Sequence, residues 1–205
     1  MDMKKISIGV LALQGSFAEH IDALSKLDVE VRKVRLPEDV DAVDGLIIPG
    51  GESTTIGKLA VDFGLLDKLR TFGSTKPIWG TCAGAIFLSK DAQRQQPLLS
   101  LMDITVERNA FGRQIASFET DIEFPALAKV SENDTLFHAI FIRAPLIESV
   151  EKDSEVLATL SDGRIVAAQQ GHLLATAFHP ELTDDDRVHR YFIHLVHDAL
   201  EGEQL

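Results

Sequence analysis

Pro77-Ile78-Trp79-Gly80-Thr81-Cys82-Ala83-Gly84-Ala85-Ile86-Phe87-Leu88 reads as a short strand, a tight turn and the opening of a helix. Its centre, residues 80–84, has the Gly-x-nucleophile-x-Gly pattern of a nucleophile elbow, with cysteine in place of serine. Glycines flank such a turn because it is tight and neighbouring backbone comes close. The nucleophile is held in a strained backbone with its side chain presented, and the N-terminus of the following helix favours a thiolate. A buried structural cysteine between two glycines fits the same five residues.

Working outward, the same strand-then-helix rhythm recurs. Residues 6–13 (ISIGVLAL) are a compact apolar run, as in a strand buried on both faces. Ser16 and Glu19 have capping-box spacing, and Phe17, Ile21, Leu24 and Leu27 recur at helical intervals behind them. Residues 29–34 and 45–48 read as two more strands. Ile56, Leu59, Ala60, Phe63 and Leu66 form a helical stripe. This alternation predicts a parallel sheet with helices on both faces. After about Leu101 the rhythm changes. Residues 104–108, 118–124, 137–142, 155–160, 165–170 and 173–178 read as strands, with turn signals at Asp162-Gly163 and Gln170-Gly171. They predict antiparallel strands joined to the parallel core. A last helix is predicted from near Thr183, with Val188, Phe192, Leu195, Val196 and Ala199 as its apolar stripe.

Length and composition narrow the function. The chain has 205 residues, 45% hydrophobic and 25% charged, which suits one domain over residues 1–205 with a real core. It carries 20 basic and 32 acidic residues, for a net charge of −12. Such a surface repels phosphate backbones and anionic lipid, so nucleic acid and membrane are poor partners. The single cysteine permits no internal disulfide, and residues 1–5 run into a strand with no signal-peptide pattern. Both point to a cytoplasmic protein.

Two further segments carry chemistry. His179-Pro180-Glu181 ends a predicted strand, and residues two apart in extended chain face the same way. Glu181 can then fix the tautomer of His179, which serves Cys82 as base and acid. A surface His and Glu at a strand end is the plain alternative. Pro49-Gly50-Gly51-Glu52-Ser53-Thr54-Thr55 follows a strand at the edge where open α/β sheets bind ligands. Its glycines let backbone N–H groups face an anion such as a tetrahedral oxyanion. An ordinary turn, with Ser53 or Thr54 capping the next helix, also fits. The remaining histidines read as structural: His20 faces off the first helix, His189, His194 and His197 lie on a solvated helix face, His172 sits in a turn, and His138 has no evident partner. A zinc site at His194 and His197 lacks a third ligand.

Taken together, Cys82 and His179-x-Glu181 resemble the class I (triad) glutamine amidotransferase family. Within it the chain is most similar to the branch of free-standing glutaminases that serve pyridoxal 5′-phosphate synthesis. Residues 9–15, 49–55 (PGGESTT), 80–84 (GTCAG), 106–114 (VERNAFGRQ), 141–145 (FIRAP), 163–167 (GRIVA) and 178–182 (FHPEL) carry the likeness from one end of the chain to the other. Ala110 departs from the family's serine, and residues 89–102 match loosely. The resemblance implies a three-layer, flavodoxin-like α/β fold of the class I glutamine amidotransferase type, with a mostly parallel central sheet and extra antiparallel strands in the second half. It implies a catalytic Cys82, His179 and Glu181, an oxyanion hole from the N–H groups of Gly51 and Ala83, and glutamine contacts from Gly51, Glu52, Ser53, Arg108, Ile142 and Arg143. It implies no cofactor and no metal. The expected partners are L-glutamine and the pyridoxal 5′-phosphate synthase subunit, in a hetero-oligomeric complex. The Gly50–Gly51 pair could also let a peptide rotate when that partner binds, with Gly50→Ala as the test. A glutaminase serving another synthase, a peptidase-like α/β protein with an elbow cysteine, and a binding module with a degenerate site are the rival readings.

Overall fold

The first strand, β1 (Ser7–Leu11), is buried on both faces. The computed structural model describes residues 5–108, 117–132 and 134–202. The chain runs from β1 through α1 (Phe17–Ser25), β2 (Glu30–Val34), a one-turn helix α2 (Pro37–Val40) and β3 (Gly45–Ile48). Two helices, α3 (Ser53–Asp62) and α4 (Leu66–Gly73), lead to β4 (Ile78–Thr81) and α5 (Ala83–Leu88). The second half holds β5 (Ser89–Asp91), β6 (Met102–Glu107), β7 (Ser117–Glu123), β8 (Leu136–Ile142), β9 (Leu146–Val150), β10 (Glu155–Thr159), β11 (Ile165–Gln170), β12 (Leu173–Thr176) and the closing helix α6 (Arg187–Gly202).

The main sheet has the order β2-β1-β3-β4-β12-β11-β9-β6-β5, with β10 paired on β11. The five strands from β2 to β12 are mutually parallel. From β12 onward β11 and β9 turn antiparallel, and β10–β11–β12 form the expected meander. Strand alternation divides the core into two layers. Ile8, Val10, Ile47, Trp79 and Leu174 face one layer, where α1 and α6 pack through Leu24 and Phe192. Leu11, Leu46, Ile48, Ile78 and Ala175 face the other, against Ile56, Leu69 and Phe87 of α3, α4 and α5. Burying each such side chain stabilises the fold by roughly 1.5–3 kcal/mol. The apolar strand runs are therefore a main source of the sheet's stability.

Several expectations are corrected. Strands β7 and β8 do not join the main sheet; they pair with each other as a separate antiparallel ribbon. Strands β5 and β9 lie where no strand is predicted, β5 because it has only three residues and β9 because LIESV is half polar. Helix α6 begins at Arg187, whose N–H is capped by Asp185 Oδ1 at 3.0 Å. Thr183 instead closes a turn over Pro180–Leu182, donating its hydroxyl to Pro180 O at 3.0 Å. Ser16 makes no cap on α1. Residues 1–4, and the 106–114 motif beyond Arg108 with its Ala110, lie outside the described residues.

Candidate active site

The site forms at the carboxyl ends of β3, β4 and β12, and the corner after β4 sets its geometry. Cys82 has φ 49° and ψ −107°, a backbone state that costs about 1–3 kcal/mol unless its surroundings enforce it. Here they do. Cys82 N–H donates to Thr176 O of the neighbouring strand at 2.8 Å. A Cβ on Gly84 would stand 2.0 Å from Ile48 O, and one on Gly80 2.4 Å from Gly84 O. Only a pattern with glycine on both sides of the cysteine allows this close approach, so the elbow reading holds in its geometry. Cys82 is buried at the floor of a cleft.

His179 follows β12 and is anchored by its N–H to Ile140 O of β8 at 2.8 Å. Pro180–Leu182 is a single 3₁₀ turn, not extended chain, and that turn brings Glu181 back beneath His179. His179 Nδ1 lies 2.8 Å from Glu181 Oε1, which also accepts the Ser16 hydroxyl at 2.9 Å. This leaves Nε2 of His179 for Cys82, whose side chain stands beside the ring against Gly50. Burial opposes a charge on His179, but Cys82 and then the bond to Glu181 outweigh it and lift its pKa to about 10. Burial also opposes ionisation of Glu181, yet His20 and His179 beside it hold its pKa at about 2. The arrangement sets the His179 ring between the Cys82 side chain and the Glu181 carboxylate, the order in which a cysteine nucleophile, its base and an orienting acid can act.

The glycine loop is braced from the other side by the turn after β1. Gly50 O accepts Ser16 N–H at 3.0 Å. A trans peptide then points the Gly51 N–H away from Ser16. Gln14 Oε1 accepts Glu52 N–H at 2.8 Å. A Cβ on Gly50 would meet His179 Cε1 at 2.7 Å and Cys82 Cβ at 3.3 Å. Gly50→Ala therefore strikes the Cys82–His179 pair itself and does not isolate a peptide rotation.

Glu52, not Ser53 or Thr54, caps α3. Its carboxylate accepts Thr55 N–H at 2.8 Å, the Thr55 hydroxyl at 2.7 Å and the Thr54 hydroxyl, and it pairs with Arg108 at 2.7 Å. Burial pushes its pKa up, but the two threonine hydroxyls and their N–H groups hold it at about 2. Arg108 thus braces the pocket through Glu52. Arg143 takes a left-handed backbone, φ 45°, between Ile142 and the loop to β9.

The cleft over Cys82 has a volume of ≈ 340 Å³. Gly51, Glu52, Ser53, Ala83, Arg108, Ile142, Arg143 and His179 all line it with Cys82; Glu181 lies behind His179. Sequence reasoning missed Gln14 and Ser16 as part of this wall. Their signal was the Gln14-Gly15 turn directly after the first strand, masked by the capping-box spacing at Ser16. It also misplaced two histidines. His20 and His189 are buried against each other beneath Glu181, at 0% and 1% exposure. His138 does have partners, Asp121 and Glu119, at 2.8 and 3.1 Å. The loosely matching residues 89–102 support the cleft's outer wall: Arg70 holds Leu98 O and Leu99 O, and Gln96 meets Ser53. Among the described residues no group of His, Cys, Asp and Glu could hold a metal, and no helix is long and apolar enough to cross a membrane.

An α/β sheet with an elbow cysteine, a partnered histidine and a glycine loop is the architecture of a glutamine amidotransferase, and the chain belongs to the SNO glutamine amidotransferase family, which matches residues 10–198. It is similar to pyridoxal 5′-phosphate synthase subunit PdxT of Herpetosiphon aurantiacus, 55% identical over 195 residues that span 93% of this chain and 100% of the relative. The protein of the same name from Moorella thermoacetica is 52% identical over 191 residues, spanning 92% and 98%. A crystal structure of a glutamine amidotransferase superposes with a TM-score of 0.85 at 47% identity, covering 93% of this chain and 98% of the other.

Proposed function

We propose that this chain is the glutaminase of a two-component pyridoxal 5′-phosphate synthase, acting through Cys82, His179 and Glu181. The observation that carries the mechanism is the His179 ring, bonded to Glu181 on one side and standing beside Cys82 in a glycine-walled cleft. Thiolate of Cys82 attacks the side-chain amide carbon of L-glutamine. The carbonyl oxygen becomes an oxyanion held by the N–H groups of Gly51 and Ala83. His179 gives its proton to the departing nitrogen, ammonia leaves, and a γ-glutamyl thioester remains on the sulfur. His179 then takes a proton from water, which attacks the thioester, and L-glutamate is released with the thiolate restored. Glu181 holds the ring and offsets its charge.

Gly51, Glu52, Ser53, Arg108, Ile142 and Arg143 form the glutamine site in this reading. Arg143 offers a cation to the α-carboxylate, and Glu52 with Arg108 sets the opposite rim. The ammonia passes to the synthase subunit, which builds pyridoxal 5′-phosphate from ribose 5-phosphate and glyceraldehyde 3-phosphate. The similarity to proteins named as subunits of that synthase supports this partner. A thiolate nucleophile on the chain's single cysteine suits a reducing, cytoplasmic setting.

The test measures glutamate release from L-glutamine with and without the synthase subunit. Cys82→Ala should lower it by more than about 10⁴-fold, the scale for removing a nucleophile that acts as one unit with its base. Wild-type release that is unaffected by the synthase would keep the glutaminase and remove the partner. Unchanged release from Cys82→Ala would remove the mechanism.

A further inference from the structure

Glu181 uses its two oxygens unequally. Oε1 receives both His179 and Ser16, while Oε2 is buried with no hydrogen bond of good geometry. Next to Oε2 stands a group that the mechanism above does not use. His20 Nε2, from α1, is 3.4 Å away, and both side chains are fully buried. His20 Nε2 is also 3.1 Å from Thr81 Oγ1 at the end of β4, and its Nδ1 is 3.0 Å from His189 Nε2 of α6. Trp79 meets both rings edge-on, at 5.5 and 5.0 Å between centroids.

Protonation follows from counting donors. Burial first of all lowers the pKa of His20, and burial followed by His20 holds that of His189 at about 3. Both rings are neutral at neutral pH, with one N–H each. Suppose the proton of His20 sat on Nδ1 and pointed at His189. His189 would then carry its own proton on Nδ1, an atom with no partner, and a bare nitrogen of His20 would face the Glu181 carboxylate. With the proton on His20 Nε2, it faces Oε2 and Thr81, and His189 donates from Nε2. The orphan is then an unprotonated nitrogen, and no buried N–H is left unmet. The second arrangement is the stable one.

We propose that His20, fixed in its Nε2–H form by His189, is a positioning residue for glutamine hydrolysis: it is the second N–H donor to Glu181 and holds that carboxylate in the plane that orients His179. The inference rests on the function proposed for this site. The 3.4 Å contact closes as substrate draws His179 and Glu181 into line, as catalytic hydrogen bonds commonly tighten in the substrate complex. The charged and titratable groups facing His20 are Glu19 on its own helix, His179 and Glu181 on the turn, and His189 on α6; Thr81 on β4 adds a hydroxyl.

The experiment measures glutamate release from the chain with its synthase subunit, for wild type, His20→Met and His20→Gln, with folding checked by thermal melting. Methionine fills the space without a donor; glutamine offers an amide N–H at similar reach. His20→Met should lower kcat by about 10–100-fold, the scale of a misplaced catalytic group, with KM for glutamine unchanged. His20→Gln should recover most of that loss. The downfield proton resonance of His179 Nδ1–H should shift in His20→Met and return in His20→Gln. If His20→Met unfolds, His189→Leu, which keeps His20 but removes its partner, should show the same loss in kcat alone. A folded His20→Met, or failing that His189→Leu, with wild-type kcat would overturn the proposal, as would equal losses in His20→Met and His20→Gln. If wild type itself released no glutamate, the assigned function would fall, and the His179 resonance would still decide whether His20 positions the pair.

Discussion

Two carboxylates hold the cleft from different depths, Glu52 in its wall and Glu181 behind His179. Glu181 has a fully buried side chain, and that of Glu52 is 34% exposed. Both are held ionised with a pKa of about 2, by different means. Glu52 relies on threonine hydroxyls, backbone N–H groups and a guanidinium, none of which changes charge near neutral pH. Glu181 relies on the rings of His20 and His179, and in the proposed mechanism His179 gives up and regains a proton in each cycle. A carboxylate fixed by non-titrating groups is a stationary part of a wall. One fixed by titrating rings is coupled to every proton that moves through the site. In the function proposed here the two acids mark the binding and the chemical halves of the site.

Glu181→Gln breaks the inner half and carries the larger effect. It should lower kcat by about 10²–10⁴-fold, the scale on which loss of the orienting acid weakens a triad. The same variant reports on stability. The pKa of Glu181 is lowered from 4.5 to about 2 on folding, so its contribution is present above pH 4.5 and is lost as pH falls through about 2. Denaturant titrations across acid pH should show wild type losing its advantage over Glu181→Gln within that window. On the alkaline side the sign is opposite. His179 is raised from 6.5 to about 10, so its charged form persists through neutral pH and is lost only as pH rises through about 10.

Glu52→Gln breaks the outer half with a smaller effect. It keeps a capping oxygen but releases Arg108. Stability should fall by about 1 kcal/mol or less, the scale of a weakened N-cap. Steady-state kinetics should show KM for glutamine rising by about 3–10-fold with kcat nearly unchanged, because about 1 kcal/mol of uniform binding is lost. A kcat loss matching that of Glu181→Gln would erase the distinction between the two halves.

The elbow and the parallel core were legible in the sequence, because local spacing determines them; the outer half was reached through the resemblance, and the Glu52 cap with its Arg108 partner was not foreseen. Gly80 and Gly84 must flank Cys82 for steric reasons, and the apolar runs of β1, β3 and β4 announce a buried parallel sheet. The proximity of His179 to Glu181 was also foreseen, although a 3₁₀ turn and not a strand produces it. What lies under Glu181 was not legible. Ser16 directly precedes the first helix and His20 lies on it, 165 and 161 residues away in the chain, and nothing local distinguishes a helical histidine that meets a carboxylate from one that meets water. The acidic β7–β8 ribbon was read correctly as strands, but pairing depends on partners that no single segment specifies.

The central claim is that Cys82 carries the glutamyl group between two chemical steps. The direct measurement is mass spectrometry of the protein quenched in acid during turnover of L-glutamine with the synthase subunit. The account predicts a mass gain of one γ-glutamyl group, located on the peptide containing Cys82 and missing from Cys82→Ala. Glutamate formed at the wild-type rate by Cys82→Ala, with no modified peptide at any time, would contradict it.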